Sequence, residues 1–282
     1  MTKEKRTPKT SDQLPVDPEA LWRMTTLGRL YFSPVYLGLE NVKKSRPCLY
    51  VGNHTIYGVW DIPLYYAKLY REKGVLLRGL GDHFHYQVPI WRRLITDYGS
   101  VRGTPENCDS LMASGEHILV FPGGGREVCK RKGEAYKLVW KNRTGFARLA
   151  MTHGYPILPL ASVGPDNAFS ILLDADDFMV SRLGRLAQKI PGMSRLLRDG
   201  EAVPPIARGL AFTPIPRPER FYFSFGRPIS TKKYQGREND PEALMELRKK
   251  VEDSINEQLG RLLLMREQDT DKGLVRRILT SL

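Results

Sequence analysis

A chain of 282 residues with 41% hydrophobic and 27% charged residues can bury a sizeable core and is too balanced for a disordered or fibrous protein. Its 44 Lys and Arg against 31 Asp and Glu leave a formal net charge of +13, which favours anionic partners such as nucleic acid, acidic lipid or a polyphosphate carrier. Cys48, Cys108 and Cys129 are too few and too scattered for a disulfide framework or a zinc site, and no run reaches the ~20 apolar residues of a spanning helix.

Residues 1–15, rich in Lys, Thr, Pro and Ser, are expected to form a disordered tail. Met1–Thr10 has no apolar stretch behind it, so no secretory signal is read there and a cytoplasmic location is expected. Residues 16–282 read as a single domain with its core at about 45–260. Asp17-Pro18-Glu19 opens an amphipathic helix through Leu21, Trp22, Met24, Leu27, Leu30 and Phe32, with Arg23 and Arg29 between.

From residue 47 short apolar runs alternate with helical patterns. Strands are predicted at Cys48–Val51, Val75–Leu77, Gly99–Val101, Ile118–Phe121 and Ile157–Leu160. Helices are predicted at Ile62–Tyr70, Ile90–Tyr98, Pro105–Ser114 and Trp140–His153. A basic, Leu-rich stretch follows from Arg182 to Arg198, then a strand at Phe221–Phe225. Asp240-Pro241 caps a long helix whose Leu244, Leu247, Val251, Ile255, Leu259 and Leu263 share one face. This alternation predicts an α/β fold with a mixed, mostly parallel sheet flanked by helices and amphipathic helical additions at the ends.

Polar residues gather after the strands, where open α/β sheets place their sites. His54 follows Gly52-Asn53 at a strand end, and Asp61 comes seven positions later; a histidine with a carboxylate orienter is general-base equipment. Seven positions along a regular helix would span about 10.5 Å, so the segment must loop, with Gly58 the candidate point, or Asp82 or Glu127 must orient His54 instead. Arg102, between Gly99 and Gly103, is a candidate anion grip. Pro122, Gly123, Gly124, Gly125, Arg126 and Glu127 form a glycine-rich strand-end loop whose backbone can approach a ligand, with Arg126 as a fork of donors. The loop lacks the Gly-Lys-Ser/Thr ending of a P-loop, and no Gly-x-Ser-x-Gly elbow is present.

In order, Asn53-His54 with Asp61, Gly99 to Arg102, Phe121 to Glu127 and Tyr155 to Leu160 resemble the four blocks of the glycerolipid acyltransferase superfamily. Pro122-Gly123-Gly124-Gly125-Arg126-Glu127, Asp82-His83-Phe84 and Val139 to Ala147 resemble its diacylglycerol-acyltransferase-like branch. The resemblance implies a fatty acyl transfer from acyl-CoA or acyl carrier protein to the hydroxyl of a lipid acceptor, with His54 as base and Asp61 as its orienter. It implies no metal and no cofactor beyond the thioester co-substrate. Arg102 and Arg126 would hold phosphates of the carrier arm or of the acceptor. Gly123 stands where phosphoglycerol-acylating relatives have Glu, and the smaller loop suggests a neutral acceptor: mono- or diacylglycerol or a long-chain alcohol. Acylation of lysophosphatidate or another lysophospholipid, and a non-catalytic lipid-binding role on the same fold, remain the alternatives. Attachment to an acidic membrane surface is expected through the Leu21–Phe32 and Arg182–Arg198 segments. Nucleic acid is not an expected partner, since no recognition motif is present.

Overall fold

The structure, a computed structural model, describes residues 17–82, 86, 92–93, 95–96, 98–190, 192, 197, 200–270, 276 and 279–280. The expected tail at 1–15, most of the expected helix at 90–98, and His83 and Phe84 lie outside these residues. So do most positions of 191–198.

Apolar runs too short for helices build a seven-stranded sheet. Its strands are β1 (Val35–Leu37), β2 (Leu49–Gly52), β3 (Leu77–Gly81), β4 (Val101–Arg102), β5 (His117–Val120), β6 (Ile157–Val163) and β9 (Tyr222–Phe225). The order is β1-β9-β6-β2-β5-β3-β4. β6, β2, β5, β3 and β4 run parallel, and β9 turns antiparallel against β6 and carries β1 parallel to itself. The sheet is therefore mixed and mostly parallel. A second pair, β7 (Ser170–Leu173) with β8 (Ile206–Arg208), is antiparallel.

Helices cover both faces. On one side α4 (Pro105–Ala113), α6 (Gly145–Thr152) and α9 (Pro241–Gln268) pack on Leu49, Val51, Ile118, Ile157, Ala161 and Val163. On the other, α3 (Ile62–Lys73) and Phe32 meet Tyr50, Leu119, Leu158, Leu160, Phe223 and Phe225. The two-residue alternation along β2 and β6 sends side chains into both cores, so all seven residues of β6 are buried. Asp240 Oδ1 caps α9 through Glu242 N–H at 2.9 Å, with Pro241 in the first turn. Leu262 rather than Leu263 completes its buried stripe.

Several expectations shift for physical reasons. The amphipathic N-terminal segment is two helices, α1 (Pro18–Met24) and α2 (Thr26–Phe32), broken where the Thr25 hydroxyl bonds Trp22 C=O at 3.0 Å. Leu21 and Phe32 face the core, while Met24, Leu27 and Leu30 project outward. The Trp22 ring is covered by Arg29 at 3.3 Å and Arg71 at 4.5 Å. The strand expected at 75–77 begins at Leu77, because only from there does the chain pair with β5. The helix expected from Trp140 starts at Gly145, after Lys141 at φ 50°.

Candidate active site

Five parallel strands emerge at one sheet edge, and the polar residues of the site follow their ends. Asn53 pins the end of central β2 to its neighbour β6: its amide donates to Ser162 C=O at 3.0 Å and accepts from Ser162 N–H at 2.8 Å. That fixed pair sets the starting direction of the next residue, His54.

His54 is half-buried. Its imidazole stacks on Phe121, at the end of the adjacent β5, with centroids 4.0 Å apart and planes at 24°. Its backbone N–H donates to Glu127 Oε2 at 3.2 Å. The chain then turns sharply. Tyr57 and Gly58 both have φ 61°, and a Cβ on Gly58 would lie 2.2 Å from His54 Cε1. Only glycine fits against that ring face. The positive φ at two consecutive residues bends the chain between His54 and Asp61 at the point where Gly58 was expected to let it loop.

Asp61 is 1% exposed and accepts from the Thr55 hydroxyl at 3.0 Å, so it is tied to the residue after His54. Burial raises its carboxyl to about 6, against the hydrogen bonds from Thr55 and Ser162. Glu127 is fully buried and accepts from two backbone N–H groups, His54 at 3.2 Å and Val139 at 2.8 Å. Burial raises it to about 7, opposed by the charge of Lys130. Glu127 thus supports the main chain of His54. Asp82 follows β3, two strands away from β2.

The glycine-rich loop is shaped by its own neighbours. A Cβ on Gly123 would lie 2.2 Å from Glu127 Cγ and Cδ, so the space at Gly123 is filled by the Glu127 side chain. The expectation that Gly123 makes room for a bulkier acceptor fails on this point: its smallness serves an internal carboxylate. Arg143 clamps the loop by donating to Pro122 C=O and Gly123 C=O, both at 2.7 Å. Gly124 adopts φ 52°. Arg126, expected to grip a substrate anion, forms instead a bidentate pair with Glu134 at 2.8 and 2.5 Å and is 8% exposed. Its partner is eight residues further along the same chain. Arg102 is exposed at the C-terminal end of β4, three strand spacings from β2, roughly 14 Å. The fold therefore brings His54, Asp61, Pro122, Gly123, Gly124 and Glu127 together, keeps Arg126 inside the loop's own framework, and leaves Arg102 towards the sheet's far edge.

Two further residues belong to this neighbourhood. Asp166, after β6, accepts from Ile56 N–H at 2.8 Å and Tyr136 N–H at 3.0 Å, and Lys130 lies 3.5 Å from its Oδ2. The rule that polar residues cluster after parallel strands would have singled out Gly164-Pro165-Asp166 as it did His54. Among the described residues no group of three or more His, Cys, Asp or Glu is arranged to hold a metal ion.

Residues 34–163 match the acyltransferase family model. Similar curated proteins include phytyl ester synthase 2 of Arabidopsis thaliana, 31% identical over 90% of this chain and 37% of that protein. Phytyl ester synthase 1 of the same plant is 30% identical over 91% of this chain and 38% of its own length. The DGAT1/2-independent enzyme synthesizing storage lipids of Homo sapiens is 33% identical over 44% of this chain and 37% of that protein. The chain thus spans well under half the length of these relatives. Among solved structures, the 1-acyl-sn-glycerophosphate acyltransferase PlsC of Thermotoga maritima aligns with a TM-score of 0.49 and 18% identity. That alignment covers 86% of this chain and 79% of that one.

Proposed function

We propose that the chain, whose residues 34–163 match the acyltransferase family model, moves a fatty acyl group from acyl-CoA or acyl carrier protein to the hydroxyl of a neutral lipid, with His54 as general base. The observation that carries this reading is the seating of His54: a half-buried imidazole at the end of the central parallel strand, fixed between Phe121 and Gly58. In the proposed step His54 takes the proton of the acceptor hydroxyl as its oxygen attacks the thioester carbonyl. A C–O bond forms, the tetrahedral oxyanion collapses, the C–S bond breaks, and the leaving thiolate regains a proton from the imidazolium. Asp61 acts as a positioning residue, holding Thr55 and hence the turn that carries His54.

The neutral acceptor is supported by the names of the relatives, which specify phytyl esters and storage lipids, and not by the size of Gly123. An open apolar groove of about 590 Å³ runs between α2 and Pro216, lined by Leu27, Leu30, Tyr31, Phe32, Ile215 and Trp60. Trp60, one wall of this groove, belongs to the segment linking His54 to Asp61.

Among the described residues no helix is long and apolar enough to cross a membrane. Attachment at a lipid surface is the reading supported by the outward-facing Met24, Leu27 and Leu30. Leu183 and Leu186, interleaved with Arg182 and Arg185 on α8 (Arg182–Gln188), add to it, as does Val180 just before that helix. The deciding experiment incubates the protein with labelled palmitoyl-CoA and vesicles carrying monoacylglycerol, diacylglycerol, lysophosphatidate or a long-chain alcohol, beside His54→Ala. Ester formation on a neutral acceptor, reduced roughly 10²–10⁴-fold in the variant, is the expected result. Equal turnover by His54→Ala would remove His54 from the chemistry, and preference for lysophosphatidate would remove the neutral acceptor.

A further inference from the structure

Beside the turn that carries His54 lies a cavity of about 240 Å³, lined by Ile56, Lys130, Arg131, Lys132, Asp166 and Phe169, among others. It is smaller than the roughly 300–1,000 Å³ of a site that swallows a whole small molecule, and so suits a head group. Three consecutive cations line it, and they differ in kind. The Lys130 side chain is 3% exposed, and its ammonium makes no hydrogen bond. Its ion-pair partner is Asp166, 3.5 Å away, whose two oxygens already accept from the N–H groups of Ile56 and Tyr136. A buried ammonium has three donors and needs acceptors for them; leaving them unmet is costly. Arg131 and Lys132 stand further out, in pairs with the exposed or half-exposed Asp176 and Asp177 at 3.1 and 2.7 Å. Such solvent-exposed pairs contribute little, so they hold the two cations only weakly.

We infer that this cavity is a phosphate-binding site, in which the Lys130 ammonium donates to phosphate oxygens and Arg131 and Lys132 close over the rim. The chemistry it selects is a terminal or bridging phosphate group. On the acyl-transfer reading above, on which the choice of ligand rests, that group belongs to the pantetheine arm of the thioester carrier; a phosphorylated acceptor in its place would overturn the neutral-acceptor part of that reading. The site takes over the task expected of Arg126, whose guanidinium is engaged by Glu134. Ile56 lines the cavity two residues beyond His54, so an anchored phosphate would lie against the same turn as the proposed base.

The test is binding by calorimetry, with two matched pairs of probes: 4′-phosphopantetheine against pantetheine, and glycerol 3-phosphate against glycerol. In the parent the phosphorylated member of one pair should bind at least about tenfold more tightly, the scale of a charge-assisted hydrogen bond. The pantetheine pair alone showing this assigns the site to the carrier, and the glycerol pair alone assigns it to the acceptor. Folded Lys130→Met should lose the preference while keeping its affinity for the unphosphorylated member. Where that variant does not fold, Arg131→Gln/Lys132→Gln should shrink the preference several-fold. Absence of any preference in the parent overturns the site, and so does a preference that survives unchanged in the folded Lys130→Met or, failing that, in the rim double variant. His54→Ala separates the two readings: phosphate preference retained, with no acyl product from variant or parent, keeps the site and rejects acyl transfer.

Discussion

Gly58→Ala tests whether the seat of His54 matters to the chemistry, and Gly74→Ala supplies its control. Both glycines have φ +61°, so alanine at either position pays the same left-handed backbone cost of roughly 1–2 kcal/mol. Their surroundings differ. A Cβ on Gly74 meets only the flexible end of Lys44 at 3.3 Å, whereas one on Gly58 would meet the His54 ring at 2.2 Å. To restore an ordinary contact of 3.4 Å the ring must retreat by about 1.2 Å, and it is backed by Phe121 at a centroid distance of 4.0 Å. A misplacement of that size costs on the order of 10²-fold in rate. Thermal unfolding should therefore fall by a few degrees in both variants, at about 2–4 °C per kcal/mol for a domain near this size. The rate of acyl transfer in single-turnover assays should fall about 10²-fold in Gly58→Ala and stay at the parent level in Gly74→Ala. Full activity in a folded Gly58→Ala would refute the idea that the position of this ring limits the reaction.

Asp61→Asn keeps an acceptor for Thr55 but removes the charge; acyl transfer should fall by roughly 10-fold or more without loss of fold, and an unchanged rate would leave Asp61 a purely structural residue. Glu127 holds its proton up to about pH 7 in the folded chain against 4.5 ordinarily, so the folded state binds more protons than the unfolded one across that window. Its contribution to stability is full below pH 4.5 and is lost as the pH rises through 7, about 3 kcal/mol in all; Asp61, raised to about 6, adds a smaller loss of the same sign. Urea midpoints of the parent and Glu127→Gln should converge or cross between pH 5 and 8, and parallel curves would contradict the raised value. Arg126→Ala strands Glu134 and should lower stability by about 3–5 kcal/mol with little change in the KM of acyl-CoA; the reverse pattern would return Arg126 to substrate binding. Leu183→Glu/Leu186→Glu should weaken sedimentation with acidic vesicles while leaving the urea midpoint alone, since both side chains are more than 60% exposed; unchanged sedimentation would move the lipid contact elsewhere.

What the sequence by itself determined is whatever depends on near neighbours along the chain. The alternation of apolar runs and caps placed β2, β5, β6 and α9 within a few residues of where they lie, because strand and helix periods are local properties. The motif order placed His54 after a strand, and the seven-residue spacing to Asp61 called for either a loop, with Gly58 the candidate point, or a different carboxylate, because regular helix of that length cannot bring a carboxylate back to a ring. β1, β7 and β8 were not legible: three or four residues carry too little pattern, and β1 exists only because Tyr222–Phe225 offers it an edge. The tertiary structure alone decided how the charged residues are spent. Glu127 reaches the backbone of His54, 73 positions earlier, because β2 and β5 are neighbours, and for the same reason it fills the space that Gly123 leaves. Asp166 meets Ile56 across 110 positions because β6 lies on the other side of β2. Arg126 turns inward to Glu134, and Lys130 is left as a buried ammonium 3.5 Å from Asp166 without a hydrogen bond. Which carboxylate neutralises which cation is settled by strand order and burial, where desolvation makes every unpaired charge costly, and no pattern read along a single chain contains that information.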